Sequence, residues 1–304
     1  GYKYQVILSN FENTRTSVND SRKFVDWSGT VEVIIPDGIV KDKGPNGDGT
    51  NPNGNEEASI EKFADFIAPD IIYQYVSGDI DKTGKTFTMA FDVTDKYFNE
   101  SSFATQYINA ETEADKLTVL KNYLTIKVDG EDITNIDTVT KKITEISDIE
   151  NTFKKTVNGT VLSGTYTIGK HFILEISGLE QDKNTVTGDS YLDYSGVITV
   201  AIKGTTEGSG TGIATDTGTE GDGTNVRTNV ATTLTSGVNI PGGVIPDDEV
   251  IVDVVDPLWQ QAGSVTGKAI EQIATIPIRV TDKYIKKDAS GKLVSELQSS
   301  DITV

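Results

Sequence analysis

Two glycine-rich stretches carry the residues best suited to chemistry. One runs Asn46-Gly47-Asp48-Gly49-Thr50-Asn51. The other runs Glu220-Gly221-Asp222-Gly223-Thr224-Asn225, with Asp216 just upstream. Hard divalent cations take several oxygen ligands from flexible loops. The pattern therefore predicts calcium, held by Asp48, Asn51, Asp216, Asp222 and Asn225. The spacing departs from an EF-hand loop, so solvated turn residues are the competing expectation. Other chemistry has little to work with. The chain has no cysteine and one histidine, His171, so zinc sites and Ser-His-Asp catalysis lack their ligands and base. His171 alternates with Phe172 and is expected to face outward. No two carboxylates stand out as a glycosidase pair, and the reading is that the protein is not an enzyme. Lys96 and Lys283 are candidates for an isopeptide crosslink to an Asn or Asp, which would serve a chain without disulfides. Trp27 and Tyr194 are expected to be core or corner aromatics rather than a sugar-stacking platform.

The elements that must position these residues repeat. Thr86 to Tyr97 alternates Phe87, Met89, Phe91 and Val93 with smaller or polar residues, the mark of a strand with one buried face. The stretch returns as Ala274 to Tyr284, and Val93–Tyr97 recurs unchanged at Val280–Tyr284, 187 positions on. Asp26-Trp27-Ser28-Gly29 is answered by Asp193-Tyr194-Ser195-Gly196 at 167 positions. Gly47-Asp48-Gly49-Thr50-Asn51 is answered by Gly221-Asp222-Gly223-Thr224-Asn225 at 174. A repeat constrains the whole architecture. The order of the matches predicts the back half of one unit over 1–68, a whole unit over 69–256 and the front half of a third over 257–304, as in a window on a longer array.

Composition agrees with an all-β reading. Apolar residues make up 36% of the chain, with no long helical pattern. Strands are expected over 2–8, 27–36, 71–76, 123–128, 166–176, 196–202, 230–238 and 250–255, with others within 138–149. Residues 41–59 read as a loop, followed by a linker-like stretch up to Pro69. Residues 99–109 read as irregular and 111–122 as a short helix. Asp129-Gly130 signals a hairpin. Residues 204–229, rich in Gly and Thr, read as a long exposed loop, and Pro277 should interrupt ladder pairing. The formal net charge of −19 argues against nucleic-acid binding, and no apolar run is long enough to span a bilayer.

Val-Thr-Asp-Lys-Tyr, then Leu124-Thr-Ile-Lys-Val-Asp-Gly130, then Ser177-Gly-Leu-Glu180 and Ser195-Gly-Val-Ile-Thr-Val200 together resemble the immunoglobulin-like repeats of large bacterial surface proteins, mainly Gram-positive and adhesin-like. That resemblance implies tandem immunoglobulin-like β-sandwich domains forming an extracellular or cell-surface stalk or fibre. Its partners would be neighbouring repeats or identical subunits joined head to tail. A glycan-binding adhesin or phage fibre module, with a glycan or host surface ligand, is the alternative.

Overall fold

The computed structural model describes residues 5–9, 28–74, 80–81, 83–157, 160–179, 193–205, 212–236, 251–261, 263–268, 271, 273–285 and 290. Residues 5–9 form no strand, and Trp27 lies outside the described residues. The first described strands form an antiparallel pair, β1 (Gly29–Ile35) and β2 (Ala58–Ala64), in register from Gly29↔Ala64 to Ile35↔Ala58. The supposed linker before Pro69 thus contains a strand. Residues 58–62 of this strand are all exposed, Ile60 included, so it shows no alternation of covered and solvent-facing residues.

Beyond Pro69 come β3 (Asp70–Gln74), β4 (Ile80–Asp81), β5 (Thr86–Thr94) and β6 (Phe98–Glu100). Two helices follow, α1 (Ser102–Asn109) and α2 (Glu113–Tyr123). The remaining central strands are β7 (Leu124–Val128), β8 (Glu131–Asp132), β9 (Thr140–Val157), β10 (Thr160–Ser177), β11 (Gly196–Ile202), β12 (Thr215–Asp216), β13 (Thr232–Thr235) and β14 (Ile251–Val252). One sheet runs β3-β5-β10-β9 with β4 on β5. A second runs β13-β11-β7-β8 with β14 on β11. A single core joins them. Phe87, Met89 and Phe91 lie opposite Ile176, Leu174 and Phe172 in the ladder, and all six are fully buried. The rings of Phe91 and Phe172 stack at 5.1 Å. The second sheet adds Leu124, Ile126, Ile198 and Val200, also fully buried. Each such side chain stabilises the fold by about 1.5–3 kcal/mol.

The organising strand is buried more completely than its alternation suggests. From Met89 to Thr94 both faces of β5 are covered, Asp92 included. A central strand between two neighbours has no exposed edge, and Asp92 takes His171 Nδ1 at 2.6 Å. His171 does sit opposite Phe172's face, but it is only partly exposed and paired.

Among the described residues strand predominates, with two short helices. The expected irregular segment 99–109 instead holds the end of β6 and the whole of α1. Ser101 caps it by accepting from Ala104 N at 3.1 Å. Phe103, Ala104 and Tyr107 form its buried face. Phe103 packs on Phe172, and Tyr107 Oη accepts from Ile143 N at 2.8 Å. Among the described residues no helix is long and apolar enough to cross a membrane. The expected exposed loop 204–229 is also corrected in part. Ile213, Ala214 and Asp216 are fully buried, and β12 pairs with β6.

After Pro257 the chain forms β15 (Leu258–Gln261), β16 (Thr266–Lys268), β17 (Ile273–Thr275) and β18 (Ile278–Thr281). β15 pairs with β18 so that Trp259 faces Val280, as β3 pairs with β5 so that Ile71 faces Val93. The strand breaks between β17 and β18 at Ile276-Pro277, as expected of a residue without an N–H.

Candidate functional site

The two glycine-rich loops share one conformation down to individual bonds. Asp42 Oδ1 accepts Gly44 N at 2.7 Å and Asn53 N at 2.8 Å. Asp216 Oδ1 accepts Gly218 N at 2.8 Å and Arg227 N at 2.7 Å. Asp48 Oδ1 takes the backbone N and hydroxyl of Thr50 at 2.8 and 2.5 Å, as Asp222 takes those of Thr224 at 2.9 and 2.7 Å. Asn51 and Asn225 both adopt positive φ, 48° and 52°, which asparagine tolerates better than most residues. Gly44 and Gly218 must be glycine, because a Cβ would stand 2.0 and 1.9 Å from the Thr50 and Thr224 carbonyl oxygens.

Sequence reasoning missed the residues that close these loops. Asp42 holds the place of Asp216, and Asn55 that of Asn229. The Asn55 side chain accepts from Val40 N and donates to the Pro36 and Glu56 carbonyls, at 2.8, 2.9 and 2.8 Å. Asn229 accepts from Ile213 N and Ala214 N, and donates to the Lys203 and Val230 carbonyls, at 2.7, 3.3, 3.0 and 3.2 Å. The 174-position spacing already joined both pairs.

For calcium the geometry is specific. Asp48, Asn51, Asp222 and Asn225 are exposed. Bonds from Thr50 and Thr224 hold the Asp48 and Asp222 carboxyls below their ordinary range. Asp216 is fully buried, and burial pushes its carboxyl up despite bonds from Arg227 and Gly218. Its Oδ2 is buried with no partner among the described residues. Among those residues no three Asp, Glu or His side chains converge closely enough to share a metal ion. Backbone N–H groups within each loop already occupy one oxygen of Asp42, Asp48, Asp216 and Asp222.

The repeated Asp-Lys-Tyr segments are what bring the elements together. Lys96 Nζ donates to the Ser28 carbonyl, and Lys283 Nζ to the Ser195 carbonyl at 2.5 Å. Tyr97 N donates to Asp95 Oδ1 at 2.6 Å and Tyr284 N to Asp282 Oδ1 at 2.7 Å, so both turns are built alike. Each Ser is followed by a glycine at positive φ, Gly29 at 148° and Gly196 at 154°. A Cβ at Gly29 would meet Tyr97 Oη at 2.9 Å; at Gly196 it would meet the Asp129 carboxylate at 2.5 Å.

The second junction carries more charge. Lys283 Nζ lies 2.6 Å from Asp129 Oδ2, which also accepts from Tyr284 Oη at 2.8 Å. Lys283 N donates to Asp193 Oδ2 at 3.1 Å, and Ser195 Oγ to Asp253 Oδ1 at 3.0 Å. Burial pushes the Asp129 carboxyl up, but bonds from Lys283, Val197 and Tyr284 outweigh it and hold the group low. Burial, then Asp129, raises the Tyr284 hydroxyl to about 12. Asp282 is pushed up by burial and by the nearby Asp253, Asp193 and Asp256, against a bond from Tyr284 N. Asp253, Asp256, Asp282 and Lys85 line a cavity of about 250 Å³ here. For a crosslink, Lys283 is the better placed of the two lysines, but its partner is an ionised carboxylate about one third exposed. That is a salt bridge; a condensing pair would need a neutral acid and amine. Tyr194 is buried, in keeping with a corner aromatic.

No protein-family model, characterised protein or solved structure matches this chain.

Proposed function

We propose that this chain is a structural segment of an extracellular surface fibre or stalk, built of immunoglobulin-like β-sandwich units arrayed in tandem. One observation carries the reading: the same lysine-to-serine-carbonyl contact recurs at two places 187 and 167 residues apart in its two partners. Each Asp-Lys-Tyr turn clamps the Ser-Gly that opens a later strand of the preceding unit. Repetition of one junction is what an end-to-end array requires, because stability then sums over units and over like interfaces. The acidic surface suits a solvated rod whose copies repel laterally. The units would join others through the same contacts, within one chain or between copies.

Imaging of the native particle tests this. Rods with a regular axial repeat, labelled by antibody on intact cells, are expected. A compact particle confined to the cell interior would overturn it. The adhesin alternative has less to draw on, since Tyr194, the described member of the aromatic pair, is buried.

A further inference from the structure

The loop that starts at Asp216 is seated, and its twin has no such seat among the described residues. Thr217 N donates to the Tyr97 carbonyl at 2.9 Å, and the Thr219 carbonyl accepts from Asp65 N at 3.2 Å. The Phe63 ring lies against Gly221, where a Cβ would come within 2.9 Å of it, and meets the Tyr97 ring edge-on at 4.8 Å. Arg227 donates to the Phe66 carbonyl and stands 5.7 Å over its ring. The seat is therefore the end of β2, from Phe63 to Phe66. Loop 42–53 has the same turns, yet a Cβ on Gly47, the counterpart of Gly221, would have nothing within 4 Å. Asp42 is exposed where Asp216 is buried. Close to this loop in sequence, Ile34, Ile35, Ile39 and Val40 are exposed by 52%, 42%, 67% and 57%.

The matching seat exists elsewhere on the chain. The ladders align β14 with β2, since Gly196 faces Val252 as Gly29 faces Ala64. Ile251 thus stands for Phe63, Asp253 for Asp65 and Val254 for Phe66. Ile251 is 44% exposed and is the open residue of this strand end; Val252 and Val254 are buried, so Val254 does not offer the exposed surface that Phe66 does. We propose that loop 42–53 of one copy docks on the Ile251–Val254 strand end of a second copy. Ile251 would pack on Gly47, and Asp253 N would donate to the Pro45 carbonyl, the counterpart of Thr219. Asn53 replaces Arg227, so the stacking over an aromatic ring is not reproduced and the contact is weaker than the one within the chain. This rests on the array reading above and gives its head-to-tail step a residue-level address.

The chain's lack of cysteine makes the test clean. Gly47→Cys and Ile251→Cys copies are mixed and oxidised, with Lys268→Cys, exposed on β16, replacing the second as control. Mixed disulfide dimers at least tenfold above the control are expected. Sedimentation of the unmodified protein should show concentration-dependent association that Ile251→Asp weakens at least tenfold. No excess of mixed dimers, or association indifferent to Ile251→Asp, overturns the proposal. The array reading would survive that result if native particles still show a regular axial repeat. Compact native particles would remove both.

Discussion

Lys283 and Ser195 meet at 2.5 Å, side-chain ammonium to main-chain carbonyl, 88 residues apart in sequence. The same ammonium holds Asp129, so one cation ties the β7–β8 turn and the residue before β11 to the turn after β18. Replacing Lys283 with Met keeps the stem and removes the charge. A loss of roughly 1 kcal/mol is expected, kept small because both side chains are one third exposed. Asp129 is held low when folded, so its contribution is present above the ordinary carboxyl range and lost as pH falls through the lower folded value. Urea unfolding should give K283M its full deficit at neutral pH and less in acid. A deficit independent of pH would count against the ion pair.

Gly29→Ala and Gly196→Ala should each cost about 1–3 kcal/mol, through positive φ and the collision with Tyr97 or Asp129. Gly130→Ala, also at positive φ but with nothing within 4 Å, isolates the backbone part at about 1 kcal/mol. Equal losses at all three positions would remove the close packing from the account.

Asp282 is raised when folded, so the stability it contributes is full below about 3.9 and is lost as pH rises through the folded value. At neutral pH its charge is a burden among Asp253, Asp193 and Asp256. Asp282→Asn keeps an oxygen for Tyr284 N and should raise the melting temperature at pH 7 by a few degrees at most. The gain should fade in acid. A lowered melt at pH 7 would contradict this.

Asn229 and Asn55 make the same bonds at different depths. Asn229→Ala leaves buried backbone groups unsatisfied and should cost about 2–4 kcal/mol. Asn55→Ala, where water can replace the side chain, should cost about 1 kcal/mol or less. Thermal melts of the two variants compare them directly.

Chelation tests the calcium expectation. Because Asp42 and Asp216 close both loops on backbone N–H groups, a chelator should leave the melt unchanged. A drop of several degrees, restored by calcium, would assign the ion a stabilising place beside Asp216.

Strand periodicity carried most of the fold into view, because Phe87, Met89, Phe91 and Val93 fall on one face and the pleat requires that alternation. The identical Val93–Tyr97 and Val280–Tyr284 pointed to like surroundings, and both turns bond alike. What stayed hidden was set by contacts distant in sequence. α1 depends on Phe103 finding Phe172, and its short length leaves only two turns of pattern. Residues 213–216 look like low-complexity loop, yet Asn229 and β6 draw them inside. β2 was obscured because five consecutive exposed residues leave it no alternating pattern. In the loops, spacing singled out Asp48, Asn51, Asp216, Asp222 and Asn225; of these Asp216 closes its loop, while Asp42, Asn55 and Asn229, which do the same work, were not marked by residue pattern. Chemistry-bearing residues were legible by type. Which of them point at their own backbone depends on turn geometry, which one-dimensional spacing does not express.

The closure of loop 42–53 by its own carboxylate has one more effect. The knob keeps its shape in solution before it meets any surface, so contact freezes few additional degrees of freedom. Even a modest footprint can then hold, and it can let go and re-form without the chain having to refold.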